Sequence, residues 1–269
     1  MSDIETLINY IMLSRVRGLG AVSANRLIRI CGSAKACFSM EAVEIMGKAP
    51  RTAERCISMF LRARKDPTLH GAAEEIIEAC LSDDIRIICR EDPDYPERFK
   101  GLPDMPILLY ARGSLAINQT RRSIGIVGAR RCSREGKERA ILIAQEAVSE
   151  NAIVISGMAK GIDSYAHTSA LLHGGNTIAV LGNGPDICYP KEHAALMERI
   201  IETGAIVAEY PPGTKPRPYS FPMRNRLIAA MSDTLYVVDT GRNSGTTSTI
   251  ESALKYKRQV IQCRSQEKQ

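Results

Sequence analysis

The turn GARRCSREG, residues 128–136, follows the apolar run SIGIV and precedes a helix-like pattern. A strand, a glycine turn and a helix N-terminus together hold phosphate, because the first helical N–H groups lack intrahelical partners and sit at the positive end of the helix dipole. A dinucleotide enzyme would show GxGxxG here, with an acid about 20 residues further on for the ribose. This chain has Gly128 but carries Arg130 in place of the second glycine, and no acid ends the next strand. A side chain at that glycine obstructs close approach of a pyrophosphate, which argues against NAD. Ser133 is placed to cap the helix, and Arg130 with the helix end makes a phosphate seat. Arg121, Arg122, Arg131, Arg134 and Lys137 are close in sequence and are expected around the same turn.

Other strand ends carry related chemistry. In SGMAKGIDSYAH, Ser156 and Gly157 open a loop closed by Gly161, from which Lys160 projects. Asp163 and His167 follow at helical spacing. They form either an acid–base pair or a helix cap and a packed ring, and the lack of a neighbouring nucleophile favours the second. In FPMRNR, Phe221 precedes Arg224, Asn225 and Arg226. An aromatic ring beside guanidinium and amide groups is a set that stacks a base and holds its phosphate; the bland reading makes Phe221 a helix staple and the arginines solvated. Ser244 and Gly245, with Thr246 and Thr247, offer hydroxyls and amides at another helix start, suited to anions. Glu251, one turn inside, is a candidate carboxylate or a face residue. So much anion-binding chemistry with so few catalytic groups predicts binding rather than turnover: no catalytic residue, no metal and no cofactor are expected.

These motifs need a common frame. Strand-like runs SIGIV, AIVIS, TIAVL, AIVAE, TLYVV and QVIQC alternate with helical stretches at 134–150, 163–173, 191–203, 222–231 and 246–257. Near-continuous apolar strands between amphipathic helices predict an α/β doubly wound, Rossmann-type, mostly parallel sheet, with ligands at the carboxyl ends of its strands. IRIIC and ILLY add two short strands upstream. Residues 1–66 are predicted as a small all-helical domain and 67–269 as the Rossmann-like domain, with DPTLHG at the boundary. RGLGAVSANRLI joins two of the early helices. Its Gly-apolar-Gly turn either offers amides to a nucleic-acid phosphate, as a helix-hairpin-helix does, or serves only as a tight turn.

Composition sets the class. The 269 residues are 44% hydrophobic and 25% charged, and 36 Lys and Arg against 30 Asp and Glu give a net charge of +6. That is a globular, mildly basic chain, with no run of roughly 20 apolar residues to cross a bilayer. Asp3 and Glu5 stand where a secretory leader would carry positive charge. Cys31, Cys37, Cys56, Cys80, Cys89, Cys132, Cys188 and Cys263 show no CxxC pair, which predicts reduced thiols in the cytoplasm.

In order along the chain, GxRxxSxxG (128–136), SGMAKGID followed by His167, GNGPDICYP (182–190), EYPPGTKP (209–216), FPMRNRLIAAMS (221–232) and SGTT (244–247) closely resemble the DprA/Smf family of bacterial DNA-processing proteins. YPERFKGLPDMPILLYARGSL resembles the family's segment upstream of these motifs, and the helical N-terminus is similar to its small SAM-like N-terminal domain. The resemblance implies an extended Rossmann fold that binds single-stranded DNA without catalysis. It also implies dimerisation and help in loading the RecA recombinase during natural transformation. Arg130, Ser133, Lys160, Phe221, Arg224, Asn225 and Arg226 match positions expected at the DNA. Two segments depart from the family pattern: VVDTGRNSGTTSTIESAL stands where VVEA and SGxLxTA are usual, and QVIQCRSQEKQ where a VFAVPG-like segment is usual. The alternative is a nucleotide sensor or an enzyme like the LOG-type ribohydrolases, but their PGGxGTxxE motif is missing and Gly245-Thr246 stand two residues too far from Glu251. A pure protein-interaction scaffold would not need a basic crevice.

Overall fold

The computed structural model describes residues 3–115, 121–239 and 245–263, so Ser244 lies outside the described residues. The chain divides into two compact units, Met1–Tyr95 with Gly101–Leu109, and Pro96–Lys100 with Tyr110–Gln269.

The first unit holds α1 (Ile4–Arg15), α2 (Ala21–Cys31), α3 (Ala34–Ser39), α4 (Ala42–Lys48), α5 (Glu54–Ala63), α6 (Thr68–Ser82) and β1 (Arg86–Cys89). Local chemistry sets their ends. Asp3 accepts the Thr6 N–H at 2.7 Å to start α1, and Ser33 does the same for Ala36 at 3.0 Å in α3. The fully buried Leu13, Leu27, Ile45, Ile57 and Phe60 form the centre of the unit. The predicted glycine turn does join α1 to α2, with Gly20 preceding the first residue of α2. The DPTLHG segment leads directly into a helix. Asp66 accepts the Thr68 N–H at 2.9 Å, Pro67 brings a φ of −66° suited to a helix entry, and TLHG becomes the first turn of α6.

The second unit carries the sheet. Its strands are β2 (Leu108–Gly113, from Tyr110 on), β3 (Ser123–Gly128), β4 (Ile153–Ser156), β5 (Thr177–Leu181), β6 (Ala205–Ala208), β7 (Thr234–Val238) and β8 (Gln259–Cys263), in the spatial order β2-β6-β5-β4-β3-β7-β8. All neighbours from β6 to β8 run parallel; β2 pairs antiparallel with β6, Tyr110 opposite Ala208. The connecting helices are α7 (Arg134–Ser149), α8 (Ile162–Leu172), α9 (Ala194–Thr203), α10 (Ser220–Met231) and α11 (Thr247–Lys255). Parallel neighbours need crossovers of one hand. Progress from β3 through β4 and β5 to β6 therefore puts α7, α8 and α9 on one face, and the return to β7 and β8 puts α10 and α11 on the other. Ile124, Ile126, Val154 and Val238 pack beneath α7 and α8, and Ala179, Leu181 and Ile206 beneath α8 and α9. The strand order reverses between β3 and β7, and the carboxyl ends of those two strands make the position where such sheets bind ligands.

Candidate nucleic-acid interface

A cavity of about 660 Å³ opens at that switch point. Gly128, Ala129 and Arg130 form its floor as the chain leaves β3. Ala159 enters from the loop after β4 and Asp163 from the first turn of α8, Tyr189 from the loop after β5, and Arg217, Phe221, Arg224 and Asn225 from the long β6–α10 connection and the start of α10. Gly245, Thr246 and Thr249 close the side beyond β7. Three guanidinium groups thus meet one carboxylate.

Arg224 organises the wall. It is 5% exposed, and its guanidinium donates to the Gly157 carbonyl at 2.7 Å and to the Val180 carbonyl, with Nε donating to Asn225 Oδ1 at 3.1 Å. Gly157 has to be glycine for this: a Cβ there would stand 2.3 Å from the Arg224 guanidinium nitrogen. Burial lowers the Arg224 pKa to about 10, with Asp163 opposing the shift and Arg130 adding to it, so the group stays charged at neutral pH. Asp163 is buried and accepts from the Gly157 and Ala159 N–H groups at 3.2 and 3.3 Å. Burial raises its pKa, against the pull of Arg224 and these N–H donors. The loop's other end is fixed by Gly161, whose φ of +79° is strained for any side chain and whose Cβ would meet the Ala129 carbonyl at 2.4 Å.

The aromatic wall is Phe221. Its ring lies tilted at 31° against Tyr189 with centroids 5.6 Å apart, and the Arg130 guanidinium stands 5.6 Å from its centroid. Arg130 is exposed and makes no ion pair with a carboxylate among the described residues, so its N–H donors are available to a ligand.

The structure sorts the predicted residues. Gly128, Arg130, Phe221, Arg224, Asn225 and Gly245 line the one cavity. Ser133 does cap α7, accepting the Gly136 N–H at 3.0 Å, but its own N–H donates to Asp239, so that helix end already holds a carboxylate and Ser133 is not in the lining. Ser156 is fully buried and donates to the Ile126 carbonyl, a cross-strand tie. Gly157 acts through Arg224. Lys160 is exposed and paired with Glu192. Arg226 is 8% exposed and forms a two-pronged ion pair with Glu209 at 2.6 and 2.8 Å, outside the lining. Its neighbour Asn225 donates to the Gly245 carbonyl at 3.0 Å, joining α10 to the loop before α11.

One expectation needs correction. Arg121 and Arg122 do not share the basic turn: they precede β3, whereas the turn follows it, and six strand residues at about 3.3 Å each separate the two by roughly 20 Å. His167 is fully buried with Nδ1 2.7 Å from the Thr177 hydroxyl, the packed alternative of the two that the spacing allowed. Glu251 is exposed and not part of the lining. Arg217 and Tyr189 are cavity residues that the sequence patterns did not single out for binding; the KPRP run around Arg217 was the one available signal, a cation held between two φ-restricted residues. Among the described residues, no group of three or more His, Cys, Asp or Glu side chains is placed to hold a metal ion, and no helix is long and apolar enough to cross a membrane.

Comparison with known proteins gives a consistent result. Residues 86–269 match the family model described as DNA recombination-mediator protein A. Protein Smf from Synechocystis sp. is 33% identical over 254 residues, which is 92% of this chain and 62% of that protein. DNA processing protein DprA from Streptococcus pneumoniae is 37% identical over 170 residues, 63% of this chain and 60% of that one. The chain spans about three fifths of the length of these curated relatives. Among solved structures, S. pneumoniae DNA processing protein A superposes with a TM-score of 0.77 at 28% identity, covering 96% of this chain and 87% of that one. DNA processing protein A from Helicobacter pylori, whose structure describes a single-stranded DNA binding mode, gives a TM-score of 0.61 at 29% identity over 68% and 83% of the two chains.

Proposed function

The chain belongs to the DNA recombination-mediator protein A family, and on that premise we propose that the switch-point cavity binds single-stranded DNA by backbone charge and base stacking. One observation carries the reading: Arg130, Arg217 and Arg224 converge with the half-buried Phe221 on a single concave site, opposed by the single carboxylate of Asp163. Guanidinium groups attract phosphate whatever the sequence, and an aromatic face accepts any base, so this pairing suits a strand read without sequence preference. Asp163 is committed to the loop N–H groups and Glu251 lies outside the lining, which supports binding rather than hydrolysis. In this account the protein works in the cytoplasm as a homodimer, protects incoming single strands and helps load RecA on them during natural transformation. The names of the S. pneumoniae and H. pylori proteins, and the single-stranded DNA binding mode described for the latter, support the DNA-processing part of that role.

The test is a salt-dependent titration with labelled oligo-dT, run beside a duplex and a panel of mononucleotides. Salt-sensitive binding to the single strand, weaker on duplex, is expected. Binding to a mononucleotide alone, with release of free base, would replace the proposal with a ribohydrolase.

A further inference from the structure

The first turn of α10 has a second side that the cavity does not use. Phe221, Arg224 and Asn225 line the cavity, while Tyr219 and Met223, four residues apart and so neighbours on the helix surface, are 62% and 50% exposed. The segment leading to them, PPGTKPRPYSFP (211–222), contains two cations, Lys215 and Arg217, and no acid. Both are exposed and neither makes an ion pair among the described residues. Pro216, Arg217 and Pro218 already form part of the cavity rim, so this ridge is continuous with the cavity, and its prolines fix φ and hold it stiff. Lys160, next to the lining residue Ala159, differs, since Glu192 neutralises that cation.

A cavity of about 660 Å³ is the size that takes one drug-sized ligand, so most of a bound strand has to lie outside it. We infer that the strand leaves the cavity across the Lys215–Tyr219 ridge, where Tyr219, flanked by Met223, stacks a second base and Lys215 and Arg217 hold the adjoining phosphates. This deepens the single-strand reading and rests on it. An exposed ring next to unpaired cations is what a polyanion with flat bases complements, and it gives the site two stacking platforms on opposite sides of one helix turn.

The chain contains no tryptophan, so a single introduced indole reports its own surroundings. Two variants are compared, Tyr219→Trp and Phe221→Trp, each titrated with dTMP and with oligo-dT of about 12 nucleotides, a length within the usual single-strand site range. The oligonucleotide is expected to quench emission in both variants and dTMP only in Phe221→Trp. In parallel, Tyr219→Ala is expected to weaken oligo-dT binding on the order of fivefold or more and leave dTMP binding unchanged. Emission from Tyr219→Trp that does not change while oligo-dT saturates Phe221→Trp would overturn the ridge path and leave the cavity reading standing. No response in either variant would remove both.

Discussion

The two ends of β3 carry arginines of the same chemistry with opposite wiring. At the amino end, Arg98 grips Asp233 with two donors at 2.8 and 2.6 Å, Arg122 pairs with Glu150 at 2.9 Å, and Arg121 donates to the Asn176 side chain at 2.7 Å. Arg258 adds donations to the Ala230 and Arg98 carbonyls. At the carboxyl end, Arg130 meets a ring face and Arg224 meets carbonyls, while Arg217 stands on the rim. None of these three makes an ion pair with a carboxylate among the described residues. The amino-end arginines spend their charge on the fold, and the three cavity arginines keep theirs for a ligand, unlike Arg226 and Lys160 nearby, which are paired with Glu209 and Glu192. An arginine's role is therefore read from what it touches, not from how many lie nearby in sequence.

The largest effect expected from breaking this contrast is at Arg224, the one of the three cavity arginines that also builds structure. Arg224→Met leaves the Gly157 and Val180 carbonyls without their donor and Asp163 without its nearby cation. A loss of about 3–5 kcal/mol in chemical denaturation is expected, and oligo-dT binding should fall with it. A change under about 1 kcal/mol would mean the buried guanidinium does not organise the wall.

Next in size is a pH effect behind the same loop. The Thr177 hydroxyl donates to the Val154 carbonyl at 2.8 Å, so it accepts from His167 Nδ1–H, while Nε2 is buried without a partner among the described residues. Burial first, then the charges of His193 and Arg224, hold the His167 pKa down to about 3 against an ordinary 6.5. Between those values the unfolded chain binds the extra proton, so this contribution to stability is present above pH 6.5 and is lost as pH falls. From pH 7 to pH 5 the loss from this group is about 2 kcal/mol, and His167→Asn, whose amide replaces Nδ1, should remove that part of the slope. Identical slopes for the two proteins in urea melts would contradict the assignment.

Asp233→Asn tests the amino end. It takes the ionic partner from Arg98 and weakens the acceptor for the Ser123 N–H, whose present distance is 2.9 Å. The pair is partly exposed, so about 1–2 kcal/mol of stability should be lost, with oligo-dT affinity unchanged. A fall in affinity at unchanged stability would erase the distinction between the two ends.

Much of this was legible in the sequence. Six strand runs and five helices between them came from periodicity alone, because parallel strands covered on both faces are apolar throughout and the helices are not. The cavity's Arg130, Phe221, Arg224 and Asn225 were found because glycines and N-terminal helix turns mark strand ends. Pairing was not legible. Arg226 and Arg224 are two residues apart in one motif, yet one meets Glu209, 17 positions away, and the other meets carbonyls from the loop after β4 and from strand β5. Asp239 at the start of α7 was equally hidden, since its partner Ser133 is 106 positions earlier. Such contacts depend on register across the sheet, which a local pattern does not carry.

The most direct test of the central claim compares Arg130→Ala with Arg122→Ala, one exposed arginine from each end of β3, by titrating oligo-dT across a range of salt concentrations. The slope of log affinity against log salt should shrink by about 0.7 in Arg130→Ala, the value for one lost single-strand phosphate contact, and stay at the wild-type value in Arg122→Ala. Equal slopes for the two variants, or a larger change in Arg122→Ala, would contradict a single-stranded DNA site at the carboxyl end of β3.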